Sequence, residues 1–130
     1  MTWVARLSVA LGYTFAAWLL AAMVVYAGTW AAPHAVRHAV HCGGVVTAFI
    51  PVFKLYFRRP APLSPAAAAG LAVLFIGLLD LYLIAPYFAH LYDVYLRFWD
   101  WQLPAALVAA SIYDTGLSAR LQAQRILNQR

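Results

Sequence analysis

The chain has 130 residues, 65% of them hydrophobic and 10% charged, with a mean hydropathy of +0.75. Soluble domains carry about 25% charged residues, so this chain has too few to clothe a water-facing surface, and lipid is its expected solvent. The net charge of +5 is not a nucleic-acid signal, because the Lys and Arg sit at the ends of apolar runs and not on an aromatic-interleaved polar face; Cys42, the lone cysteine, excludes an intrachain disulfide and a cysteine zinc cluster.

After Arg6 the chain runs without a charge from Leu7 to Tyr26. A spanning helix needs ~20 apolar residues, and a first span is predicted over 7–27. The alternative is a signal peptide, with Arg6 as its basic head and residues 27–31 as a small-residue cleavage zone, but signal-peptide apolar regions run only ~7–15 residues and this one is longer. Trp3, Tyr26 and Trp30 suit the two interfaces, and Gly12 with Ala16 makes a small patch for close packing.

A turn follows, and Pro33 suits a first helical position. The second predicted span, 33–57, begins with His34, Arg37, His38 and His41 at i, i+3, i+4, i+7, which is one helical face. Its second half is apolar, carries Pro51 as an expected kink, and ends in Lys54, Arg58 and Arg59. A proline-rich link leads to Ser64 and Pro65, a cap-and-start signal.

The third predicted span is 65–90. Ala66, Gly70 and Gly77 share a stripe expected to meet another helix closely. Asp80 lies well inside the apolar run; at ~1.5 Å per residue it sits ~22 Å from Pro65, in the outer half of a ~30 Å core. Pro86 is expected to bend or end the helix. Residues 87–101 mix Tyr, Phe and Trp with His90, Asp93, Arg97 and Asp100, as an interfacial loop does. The fourth predicted span is 102–119, with Pro104 near its start and Asp114 near its end; 120–130 reads as a cytoplasmic amphipathic tail, a helix extension lying at the surface.

Four spans put Arg6, Lys54, Arg58, Arg59, Arg120, Arg125 and Arg130 on one side, and Arg37 and Arg97 on the other. Basic residues concentrate on the cytoplasmic face, so both termini are expected there and the chain in the cell inner (plasma) membrane. The fold class read from the sequence is all-α: one integral membrane domain, an antiparallel four-helix bundle.

Several short runs carry a resemblance: Asp80 followed by Pro86, the Tyr-rich loop, Pro104 with SIYDTG at 111–116, and KLYFRR at 54–59. In these the chain resembles small four-span membrane proteins of bacteria and archaea that have no established activity. The resemblance implies the four-span fold and singles out Asp80.

A carboxylate at membrane depth must find a partner or take up a proton. Matching depths along the helices makes Arg37, His38 and His41 the candidate partners of Asp80. They would form either a static pair fixing helix register or a protonatable ion site, since His titrates near physiological pH. Asp114 and Lys54 are candidates for a structural ion pair at the cytoplasmic face. His34, His38 and His90 could ligate a transition metal or haem, but no HExxH or Cys–His cluster accompanies them, and no metal or haem cofactor is expected. Neither a P-loop, a Rossmann glycine fingerprint nor a nucleophile elbow is present, and no catalytic residue is assigned.

Two functions follow. The first is a non-enzymatic structural or accessory membrane subunit. The alternative is a small oligomeric proton- or ion-coupled transporter or channel using Asp80. The expected partners are the bilayer and a second copy or another membrane protein, and not nucleic acid.

Overall fold

The computed structural model describes residues 2–31, 33, 36–84 and 101–129, with backbone only at Thr29, Trp30 and Ile84. Among these the chain is all helical: α1 spans Trp3–Ala31, α2 Arg37–Phe57, α3 Pro65–Leu79 and α4 Leu103–Asn128. A π-helical turn, Asp80–Ile84, extends α3. The aromatic loop expected at 87–101 lies outside the described residues but for Trp101, as do His34, His90 and the last part of the third predicted span.

Three helices are long and apolar enough to cross a membrane, over Trp3–Gly28, Arg37–Phe57 and Pro65–Leu83. The fourth predicted span forms a helix but is not among them. Asp114 and the polar Ser111, Tyr113, Thr115 and Ser118 dilute its apolar run. The helix extension expected at 120–130 is the continuation of α4, which runs to Asn128.

Local chemistry accounts for the helices. Pro65 opens α3, and Ser64 before it accepts a hydrogen bond from the Ala67 amide at 3.2 Å. Hydroxyls inside the helices bond back to the preceding turn: Thr14 donates to Ala10 O at 2.9 Å, and Thr47 to Gly43 O at 2.6 Å. They therefore leave no unsatisfied donor in an apolar setting. Pro51 lies inside α2, which continues through it.

The helix pairs show a consistent register. Gly28 faces Val40, Gly44 faces Val25, Tyr13 packs against Tyr56 with tilted rings, and Arg6 reaches Pro62. These pairs run in opposite directions along the chain, so α1 and α2 are antiparallel. Arg6 reaches Pro62 just ahead of α3 and Trp18 meets Asp80 at its far end, so α1 and α3 run parallel. Gly116 lies against Pro65 and Gly77 against Trp101, so α3 and α4 are antiparallel. Both α1 and α4 pack on α2 and on α3. Hence α2 and α3, consecutive in sequence, lie across from one another.

The packing stripe of α1 is Ala10, Thr14, Ala17 and Ala21, all buried, and not the expected Gly12 and Ala16, which are exposed. Both stripes have helical spacing, and only the burial of α2's aromatics against one of them distinguishes the two. That aromatic ladder is Phe49, Phe53, Tyr56 and Phe57, with ring centroids 5.0–6.1 Å apart. It shares one core with Val108 and Ile112 of α4. Gly116 is required here: a Cβ would lie 2.6 Å from Phe57 Cζ and 2.8 Å from Pro65 Cγ. On α3 the buried face is Ala68, Ala69 and Ala72, while Gly70, expected at a close helix contact, has nothing within 4 Å of an added Cβ.

Candidate functional site

Asp80 occupies the junction of three segments. It caps α3, and its backbone N–H donates to both Gly77 O and Ile76 O as the helix widens into the π turn. Its carboxylate accepts two indole hydrogen bonds. Trp18 Nε1 of α1 donates to Oδ1 at 2.8 Å. Trp101 Nε1, just before α4, donates to Oδ2 at 3.4 Å. One half-buried side chain thus ties α1, α3 and the start of α4 together.

The neighbours fit this arrangement. A Cβ on Gly77 would meet Trp101 Cζ2 at 3.3 Å, so the bare glycine admits the indole that reaches Asp80. Trp18 lies as far from Trp3 at the start of α1 as Asp80 lies from Pro65. With α1 and α3 parallel, ~1.5 Å per residue brings both to the same depth, ~22 Å from their helix starts.

The candidate partners on α2 divide. His41 is half-buried and lies within electrostatic range of the Asp80 carboxylate. Arg37 and His38, at the first turn of α2, are exposed, and neither donates a hydrogen bond to Asp80. Depth matching favoured the histidine face, but depth does not fix the rotation of α2 about its own axis. The tryptophans were the signal missed: an indole N–H inside an apolar run is a donor that itself needs an acceptor.

Lys54 and Asp114 are both exposed, and no ion pair joins them. The seam between α2 and α4 is filled by Phe53, Phe57, Val108 and Ile112, which turns the two charges outward. Of the metal candidates His34, His38 and His90, only His38 is described. Among the described residues no group of three His, Cys, Asp or Glu side chains comes together.

An open groove of about 530 Å³ runs along α3 and α4, lined by apolar side chains that include Leu74, Leu78, Leu81 and Trp101. Gly70 and Gly77 are among its lining residues.

No family model, no curated protein and no solved structure matches this chain, so the geometry alone carries the functional argument.

Proposed function

We propose that this chain is a multi-pass protein of the cell inner membrane, a non-enzymatic structural or accessory subunit in which Asp80 acts as a fixed polar clasp. Three helices of spanning length support the membrane setting. In this reading α4 crosses as the fourth helix of an antiparallel bundle, sheltered by α2 and α3, on both of which it packs. Both termini then share the cytoplasmic side with Lys54, Arg58 and Arg59.

The observation that carries the clasp is the nature of its donors. Both carboxylate oxygens of Asp80 accept from indole N–H groups. An indole nitrogen donates only; it has no lone pair with which to take a proton. Trp18 and Trp101 can therefore hold the carboxylate but cannot relay a proton to or from it. Two donors from different segments also fix helix register, a role for which buried polar groups are well suited.

The second reading, a proton- or ion-coupled transporter, rests on His41, the one titratable α2 group in electrostatic range of Asp80. Flux measurements in liposomes separate the two. With a pH or cation gradient imposed, the clasp reading expects wild-type protein to leak no faster than empty vesicles. Flux that wild type supports and Asp80→Asn abolishes would establish the transporter instead.

A further inference from the structure

The opposite end of the molecule gathers cations that no described carboxylate neutralises. Arg6 of α1 donates from Nη2 to Pro62 O at 2.7 Å, which pins the link between α2 and α3. Its Nε is buried and has no partner among the described residues, and its guanidinium lies 5.9 Å over the ring of Trp3. Arg59, just past α2, lies 5.8 Å over the ring of Tyr13, with Nη1 3.4 Å from the Tyr13 hydroxyl. Tyr13 packs on Tyr56 at 5.5 Å, and Arg6 lies in electrostatic range of Tyr56, so both arginines stand near one aromatic pair. Lys54 and Arg58 are exposed on the same stretch of chain. None of these four cations forms an ion pair with Asp80 or Asp114.

Cation–π attraction to an aromatic face consumes no N–H donor, so beyond one hydrogen bond each, to Pro62 O and to the Tyr13 hydroxyl, both guanidinium groups keep donors to offer. A planar guanidinium fork matches phosphate oxygens, and Arg6 and Arg59 bring one each to the same end of the molecule. The surroundings select the kind of anion. Leu55, in the last turn of α2 and four residues before Arg59, is 55% exposed. Leu55 thus continues the cationic rim toward the middle of the membrane, where acyl chains lie. A free phosphate would have no use for it.

We propose that Arg6 and Arg59, reinforced by Lys54 and Arg58, bind the phosphate of an anionic phospholipid, with its acyl chains along Leu55. This inference rests on the membrane reading above, and carbonate extraction tests that reading separately. If alkaline carbonate strips the chain from membranes, the membrane reading fails. If the chain is retained but shows no lipid preference, only the present inference fails.

The test is binding to full-length protein in a neutral detergent, measured by native mass spectrometry. The probes are phosphatidylglycerol, phosphatidylcholine and inorganic phosphate. A basic residue near an anionic lipid is worth about 1 kcal/mol, so two arginines predict a preference for phosphatidylglycerol over phosphatidylcholine of at least about tenfold. Arg59→Gln should weaken phosphatidylglycerol binding about fivefold, and Arg125→Gln, near the end of α4, should leave it unchanged. Arg6→Gln should match Arg59→Gln; should it fail to fold, Arg59→Gln and Arg58→Gln carry the test. Equal binding of the two lipids would overturn the proposal. So would an Arg125→Gln effect as large as that of Arg59→Gln, or displacement of the lipid by millimolar phosphate alone.

Discussion

Replacing Trp18 by Phe removes one N–H and leaves Asp80 Oδ1 without its shorter hydrogen bond, the 2.8 Å contact. A hydrogen bond to a charged group contributes about 1.5–3 kcal/mol in proteins, whereas side-chain hydrogen bonds between membrane helices average about 0.6 and reach about 1.7 kcal/mol. The carboxylate is half-buried and keeps its 3.4 Å bond to Trp101, so we expect about 1–1.5 kcal/mol from the bond itself. At this chain length that corresponds to about 3–6 °C in Tm. The smaller ring also loses packing, so the single variant overstates the bond. A double-mutant cycle with Asp80→Leu isolates it: in that background Trp18→Phe should lose only its packing component. Thermal unfolding in detergent, followed by tryptophan-independent circular dichroism, reads all four corners. Coupling below about 0.5 kcal/mol, the range of independent sites, would refute the clasp.

Trp101→Phe should show weaker coupling to Asp80 than Trp18→Phe in the same cycle, because its bond is 0.6 Å longer. Gly116→Ala should destabilise by about 1–3 kcal/mol, since Pro65 cannot swing away from the added methyl. Gly12→Ala, with open space at the same Cβ position, should be neutral or stabilising by up to about 1 kcal/mol, and unfolding curves of the two variants compare them directly. Tyr56→Phe removes the acceptor of the Leu63 amide, a 2.8 Å bond buried beneath the α2–α3 link, and should lower stability by about 1–3 kcal/mol. Ala61 holds a φ of 54° in that link, a left-handed conformation costing roughly 1–2 kcal/mol for an L-residue; Ala61→Gly should therefore not destabilise, whereas Ala61→Val should, in the same melts.

Some of this was legible from the residues alone. Long uncharged runs dictate helices in lipid, so α1, α2 and α3 emerge close to their predicted positions, and Ser64 with Pro65 marks the start of α3. Asp80 stands out because a charge in an apolar run has few harmless explanations. Its partners did not, and the reason is geometric. Depth follows from residue counting, but helix rotation and neighbour order do not. Depth matching alone directed the search for Asp80's partner to α2. The packing instead puts α3 beside α1, where Trp18 waits at matching depth. The π turn adds to the difficulty, since it breaks the helical phase at the residue of interest. The same freedom explains Gly70, Gly12, Lys54 and Asp114, whose types fit a contact that the rotation of their helices does not make.

The most direct test of the clasp observes the two indoles themselves. In ¹⁵N-labelled protein in micelles, Asp80→Leu should move the indole N–H resonances of Trp18 and Trp101 upfield, as hydrogen bonds to a carboxylate are lost, while that of Trp3 stays in place. Unchanged resonances for Trp18 and Trp101 would contradict the account, since Asp80 would then not be holding the helices through them.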